Sequence, residues 1–235
     1  ALMILSGQSD VDADSVTIGP SLIFERLWKE TGIQGAINKM LRDRRFDFDV
    51  ERAIFLTVVH RLMVSGSDRF CERWRRDYEI QGTEDLDLHH LYRAMGFLGE
   101  VLDDQSGATP FAPHCTKDLI EEEVFASKRH LFSELDLVFF DTTSIYFEGR
   151  GGKTIGQRGF SKDHRPDLKQ MVVGAVIDDT GRPICCEMWP GNTADVTTLI
   201  PITERMRERF GIQRFCIVAD RGMISNNTLK ALEEE

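Results

Sequence analysis

The sequence predicts an α/β protein, with a mainly helical region over residues 1–135 followed over 136–235 by a mixed sheet and its helices. Three observations predict it. Before residue 136 apolar residues recur at helical spacing. After it they form short β-branched and aromatic runs. Two of those runs each lead straight into an aspartate, at 141 and at 220.

The helical elements come first. The stretch "DVERAIFLTVVHRLMV" (49–64) is apolar nearly all round, as a central bundle helix is, and Gly66 can stop it. Residues 67–80 open on Ser67 as an N-cap and place Phe70, Trp74 and Tyr78 on the buried face. Arg69, Arg73 and Arg76 form a stripe on another face. Asp68, Glu72 and Asp77 can neutralise that stripe, so it reads as solvated. Leu88, Leu91, Met95 and Leu102 predict a helix over 87–102, and Ile120, Val124, Leu131 and Leu135 one over 116–135. The loop "DDQSGATPFAPHC" separates these two.

Strands are predicted over 137–147, 168–179, 182–191 and 214–223, with Asp179-Thr180-Gly181 turning the second into the third. Between the third and fourth, Leu199, Ile202, Met206 and Phe210 share a helical face. Thr198 is its expected cap, Pro201 sits in its first turn and Gly211 ends it. A further helix starts in "SNNTLKALEEE". The order from 136 is therefore β, β, β, α, β, α.

Composition bounds the function. With 41% hydrophobic and 29% charged residues in 235, the chain suits one or two globular domains with a real core. No run approaches the roughly 18–20 apolar residues that cross a bilayer, so no membrane partner is expected. The N-terminal "ALMIL" is too short for a secretory segment, and a chain that does not begin with Met reads as a fragment. Five cysteines with no CxxC spacing argue against a zinc site or a disulfide framework and for a reducing, cytoplasmic setting. His89-His90 and His114-Cys115 lack metal-ligand spacing and read as surface or packing residues.

Net charge is -10, but unevenly spread. Residues 148–169 hold Arg150, Lys153, Arg158, Lys162, Arg165 and Lys169 against Glu148, Asp163 and Asp167, a local net of +3. This basic loop directly follows the Asp141 strand and also carries His164.

Asp141 follows Val138, Phe139 and Phe140, and Asp220 follows Phe215 through Ala219. A carboxylate amid that much apolar surface loses solvation and needs a partner. If the fourth strand lies beside the first, the two acids converge, and a divalent cation between them would offset both costs. A carboxylate satisfied by arginine or backbone amides is the other reading of Asp141, and a strand-end turn that of Asp220. Asp195 reads as a helix cap or turn residue, and Trp189 as packing.

The segments "FDTTSIYFEG", "GFSKDHRPDLKQMVVG", "WPGNTADVTTL" and "IVADRGMIS", in this order, resemble a DDE transposase of bacterial insertion sequences. The type it resembles is the insertion-sequence-four-like superfamily, insertion sequence 1634 branch. It is strong over residues 136–235 and implies a ribonuclease H-like catalytic domain there. It implies Asp141 and Asp220 as catalytic, metal-holding residues. The cofactor it implies is Mg²⁺, with Mn²⁺ as substitute and two ions in the complete enzyme. Its partners are double-stranded DNA, at the element's terminal inverted repeats and in the target, bound by a homodimer. Under it Arg150, Lys153, Arg158, Lys162, His164, Arg165 and Lys169 become candidate phosphate contacts, a solvated loop being the other reading. The family's third ligand is a Glu on a later helix, in a Tyr-Arg-Glu-Lys type signature. Nothing in the sequence matches it, and Glu233, Glu234 and Glu235 lie too early. The family activity it implies is metal-dependent strand cleavage and transfer at element ends, and this C-terminally truncated chain, lacking the third acid, is expected to be inactive or impaired alone. A catalytically inactive DNA-binding or dimerising remnant is the alternative.

Overall fold

The computed structural model describes residues 15–128, 136–149, 152–162, 164–212 and 215–234. Packing divides the chain into two compact units, Ala1–Leu98 and Gly99–Glu235.

The first unit is helical: α1 (Gly19–Glu30), α2 (Ile33–Leu41), α3 (Val50–Met63), α4 (Asp68–Trp74) and α5 (Leu88–Leu98). Helix α3 packs against α1, α2, α4 and α5, and its Ala53, Phe55 and Leu56 are wholly buried. That is why its sequence is apolar all round. The Asp49 side chain caps it by accepting from the Arg52 amide at 3.0 Å. The helix expected over 67–80 is shorter. It passes into a 3₁₀ turn, Arg75–Asp77, and Tyr78 is extended. The cause is competition for backbone groups: Thr17 donates to the Asp77 carbonyl and accepts from the Glu79 amide. Cys71 and Trp74 form the buried face, whereas Phe70 is 38% exposed. Arg69, Arg73 and Arg76 are exposed, as a solvated stripe is.

The second unit is α6 (Thr116–Lys128), β1 (Asp136–Tyr146), β2 (Gln170–Asp178), β3 (Pro183–Pro190), α7 (Leu199–Glu208), β4 (Phe215–Ala219) and α8 (Asn226–Glu234). Residues 129–135 of the helix expected over 116–135 lie outside the described residues. The sheet order is β3-β2-β1-β4. The first three strands form an antiparallel meander, and β4 joins β1 in parallel. A three-strand meander, a crossover helix and a parallel fourth strand make a mixed sheet, in the element order expected from the sequence.

Sequence character changes at 136, but by packing the stretch from Gly99 belongs with the sheet, because α6 lies on β3. Among the described residues the hydrophobic core of this unit lies on one face of the sheet. Val138, Phe140, Val172, Val176, Trp189, Leu199, Ile202, Met206 and Met223 form it. On the other face Leu137 and Phe139 are each 37% exposed, Ile145 44% and Val218 45%. The fourth strand is shorter than expected, since a 3₁₀ turn, Arg221–Met223, follows Asp220 directly.

Candidate active site

In β1 the side chains alternate: Val138, Phe140, Thr142 and Ser144 are buried, and Leu137, Phe139, Asp141, Thr143 and Ile145 are exposed. Period-two geometry therefore puts the apolar neighbours Val138 and Phe140 on the core face and Asp141 on the open one. The expectation of a desolvated carboxylate is corrected. Asp141 keeps contact with solvent, and its Oδ1 accepts from the Thr142 amide at 2.7 Å.

Asp220 reaches the same place from the other strand. The parallel register pairs Phe139 with Val218 and Phe140 with Ala219. Asp141 and Asp220 are each the next residue after this last pair, and Asp220 lies just past the end of β4. The pairs Leu137–Cys216 and Phe139–Val218 are exposed, and Asp141 and Asp220, two residues beyond the latter pair, are exposed likewise. The chain leaves the sheet there: the Asp220 carbonyl accepts from the Met223 amide at 2.9 Å, and Met223, 1% exposed, pins the turn to the core.

A second 3₁₀ turn, Asp195–Thr197, packs against Arg221–Met223. Asp195 is the turn residue its sequence suggests, its carbonyl accepting from the Thr198 amide and hydroxyl. Its carboxylate does more. Asp195 Oδ2 lies 3.4 Å from Lys162 Nζ, which also donates to the Thr142 carbonyl at 2.5 Å and reaches Thr142 Oγ1 at 3.2 Å. The Lys162 amide donates to Ser144 Oγ at 3.0 Å. Lys162 is thus fixed along β1 at Thr142 and Ser144, whose side chains face away from that of Asp141, with Asp195 as counter-charge. Sequence reasoning missed Asp195. The one available signal was its place in the "WPGNTADVTTL" segment.

The rest of the basic loop is sorted by its partners. Arg165 forms a two-pronged pair with Asp167, both contacts 3.0 Å, and lies over the Tyr146 ring. That pair holds Asp167 below the usual carboxylate range. His164 is exposed with φ 57°, a left-handed conformation, and its amide donates to the Ser161 carbonyl. Lys153 and Arg158 are exposed, and Lys169 is half-buried. Arg150 lies outside the described residues.

The loop is stitched to the sheet. Gln157 and Gln170 exchange both backbone hydrogen bonds, and the Gly191 amide donates to the Ile155 carbonyl. The Gln170 side chain, wholly buried, donates to the Phe160 carbonyl at 2.7 Å and the Gly191 carbonyl at 3.0 Å. Backbones approach so closely that a Cβ on Gly159 would sit 1.9 Å from the Gly191 oxygen. Only glycine fits there.

Among the described residues, one set of three His, Cys, Asp or Glu groups has its ligand atoms all within 4.8 Å of one another: Asp87, His89 and His90, in the first unit. This differs from the spacing argument made on the sequence, because the residues are brought together by the start of α5. There His90 Nδ1 accepts from the Asp87 amide at 3.0 Å and its ring stacks on Phe48. Asp141 and Asp220 belong to no such set of three among the described residues.

Residues 133–235 match the family model described as "Transposase DDE domain". Two solved structures are similar to the chain. The Mos1 transposase paired-end complex with left transposon end is 13% identical, with 99% of this chain and 69% of that chain covered, at a TM-score of 0.30. The mariner Mos1 paired-end complex with Mg is 13% identical, with 94% and 76% covered, at a TM-score of 0.29. Among curated proteins none matches. No helix among the described residues is long and apolar enough to cross a membrane.

Proposed function

From a transposase DDE domain over residues 133–235, we propose a DNA transposase of the insertion-sequence-four-like group, insertion sequence 1634 branch. Asp141 and Asp220 would hold its metal. The single observation that carries this reading is the β1–β4 register, with both carboxylates following paired residues on one open face. The donor set fits a hard divalent cation: two exposed carboxylates offer oxygen ligands and leave room for water and phosphate, as Mg²⁺ requires. When bound, the metal, two ions in the complete enzyme with Mn²⁺ as substitute, supplies an activated attacking oxygen and stabilises the leaving one.

The chain's own residues do the rest. Lys162 presents an ammonium group at Thr142, where a bound phosphodiester would accept it in place of Asp195. Lys153 and Arg158 extend positive charge along the loop for neighbouring phosphates. The clamp through Gln170 and Gly191 fixes that loop against the sheet, so binding need not order it. The substrate is double-stranded DNA, first the element's terminal inverted repeats and then the target, engaged by a cytoplasmic homodimer. Residues 136–235 form the catalytic domain and residues 1–135 the helical region before it, with α6 supporting the sheet.

The test is strand nicking by the full chain, with Mg²⁺, on duplexes carrying element ends. Asp141→Asn and Asp220→Asn are each expected to abolish nicking and leave end binding intact in a gel shift. Unchanged nicking in either variant would sink the assignment. If the unaltered chain binds ends but does not nick them, it is a non-catalytic remnant.

A further inference from the structure

Phe160 is 87% exposed, more than any other large apolar side chain among the described residues. Between residues 146 and 217 no other described large apolar side chain is exposed, so the ring stands apart from any apolar patch in its own loop. A protein partner would need a contiguous patch of several hundred Å².

The backbone that carries this ring is held from several sides. Its carbonyl accepts from the buried Gln170 side chain. Gly159 before it is pressed against Gly191. After it, Ser161 is buried, its hydroxyl accepting from the Arg165 amide and its carbonyl from the His164 amide. The ring is presented by a braced segment. Arg158 and Lys162 lie two residues to either side in the sequence, Arg158 exposed and the Lys162 ammonium held at Thr142 and Asp195.

We propose that Phe160 is a stacking platform for an unpaired nucleobase of the DNA bound at this site. The inference rests on the transposase reading above and adds a contact to the base. An aromatic face flanked by cations is the chemistry that holds unpaired bases regardless of their identity: the cations take adjacent phosphates, and the ring takes the exposed π-face. Strand cleavage and joining at a duplex end leave bases without neighbours, and a braced ring can cover one without first being ordered.

The experiment compares two duplexes of equal sequence, one blunt and one with a short 3′ overhang whose first base is 2-aminopurine. Binding to the full chain is measured by anisotropy and by 2-aminopurine fluorescence. The unaltered chain is expected to bind the overhang duplex roughly tenfold more tightly than the blunt one and to quench the probe. Phe160→Ala is expected to lose both effects while binding the blunt duplex as before, and Phe160→Trp to keep both. Equal affinity for the two duplexes, or a preference that survives Phe160→Ala, overturns the stacking role and leaves the metal site untouched. Failure to bind either duplex overturns the DNA reading and this inference with it.

Discussion

Lys162 is the residue on which the site's geometry turns, because it joins the basic loop to β1 and faces Asp195. Lys162→Ala is expected to weaken DNA binding and to lower the slope of log affinity against log salt by about one, since one phosphate contact releases about one counterion. Titrating binding against KCl checks it. Asp178 gives a prediction in pH. Burial acts to raise its pKa, but the Thr180 hydroxyl and the Arg182 and Thr180 amides outweigh it and hold the carboxyl below its usual range. A depressed carboxylate contributes stability above its unfolded pKa, about 3.9, and loses it as pH falls through the folded value. Asp178→Asn should therefore flatten the loss of stability below about pH 4, measured by urea unfolding across pH. The Asp141–Asp220 pair was legible because both strand patterns run into an acid. Their exposure was not, because alternation assigns Val138 and Phe140 to the opposite face and a one-dimensional run does not show that.

At the scale of elements, α6 is bound to β3 and α7 by charge. The Arg209 side chain, 4% exposed, contacts Glu122 at 2.9 Å, Glu187 at 3.0 Å and Glu121 at 3.1 Å. Lys117 Nζ adds bonds to Glu121 and to the Cys186 carbonyl. Removing one partner from such a cluster leaves buried charge without compensation, so Arg209→Ala is expected to cost about 3–5 kcal/mol. Arg209→Lys should fall between, because one ammonium cannot reproduce a planar fork. Urea unfolding gives both values, and a loss under about 1 kcal/mol would mean the cluster is held together by packing alone. The meander, the crossover helix and β4 were readable from period and turn residues. The attachment of α6 was not, since it depends on Arg209 meeting acids far away in sequence. The early end of α4 was hidden for the same reason, its backbone being captured by Thr17.

At the scale of the molecule, the described sheet has a core on one face and its two candidate catalytic acids on the other, where Leu137, Phe139 and Val218 also stand open. That arrangement leaves the acids accessible to a hydrated cation and to a phosphate backbone. An overall charge of -10 is compatible with it, because the braced loop beside Asp141 carries its own positive charge. The central claim is that Asp141 and Asp220 act as one metal site. Mn²⁺ titration of the full chain, followed by the electron paramagnetic resonance signal of the free ion, tests it most directly. The account predicts bound Mn²⁺ that is lost in both Asp141→Asn and Asp220→Asn and kept in Glu204→Gln, an exposed acid on α7. Equal Mn²⁺ binding by the unaltered chain and the two aspartate variants would contradict it.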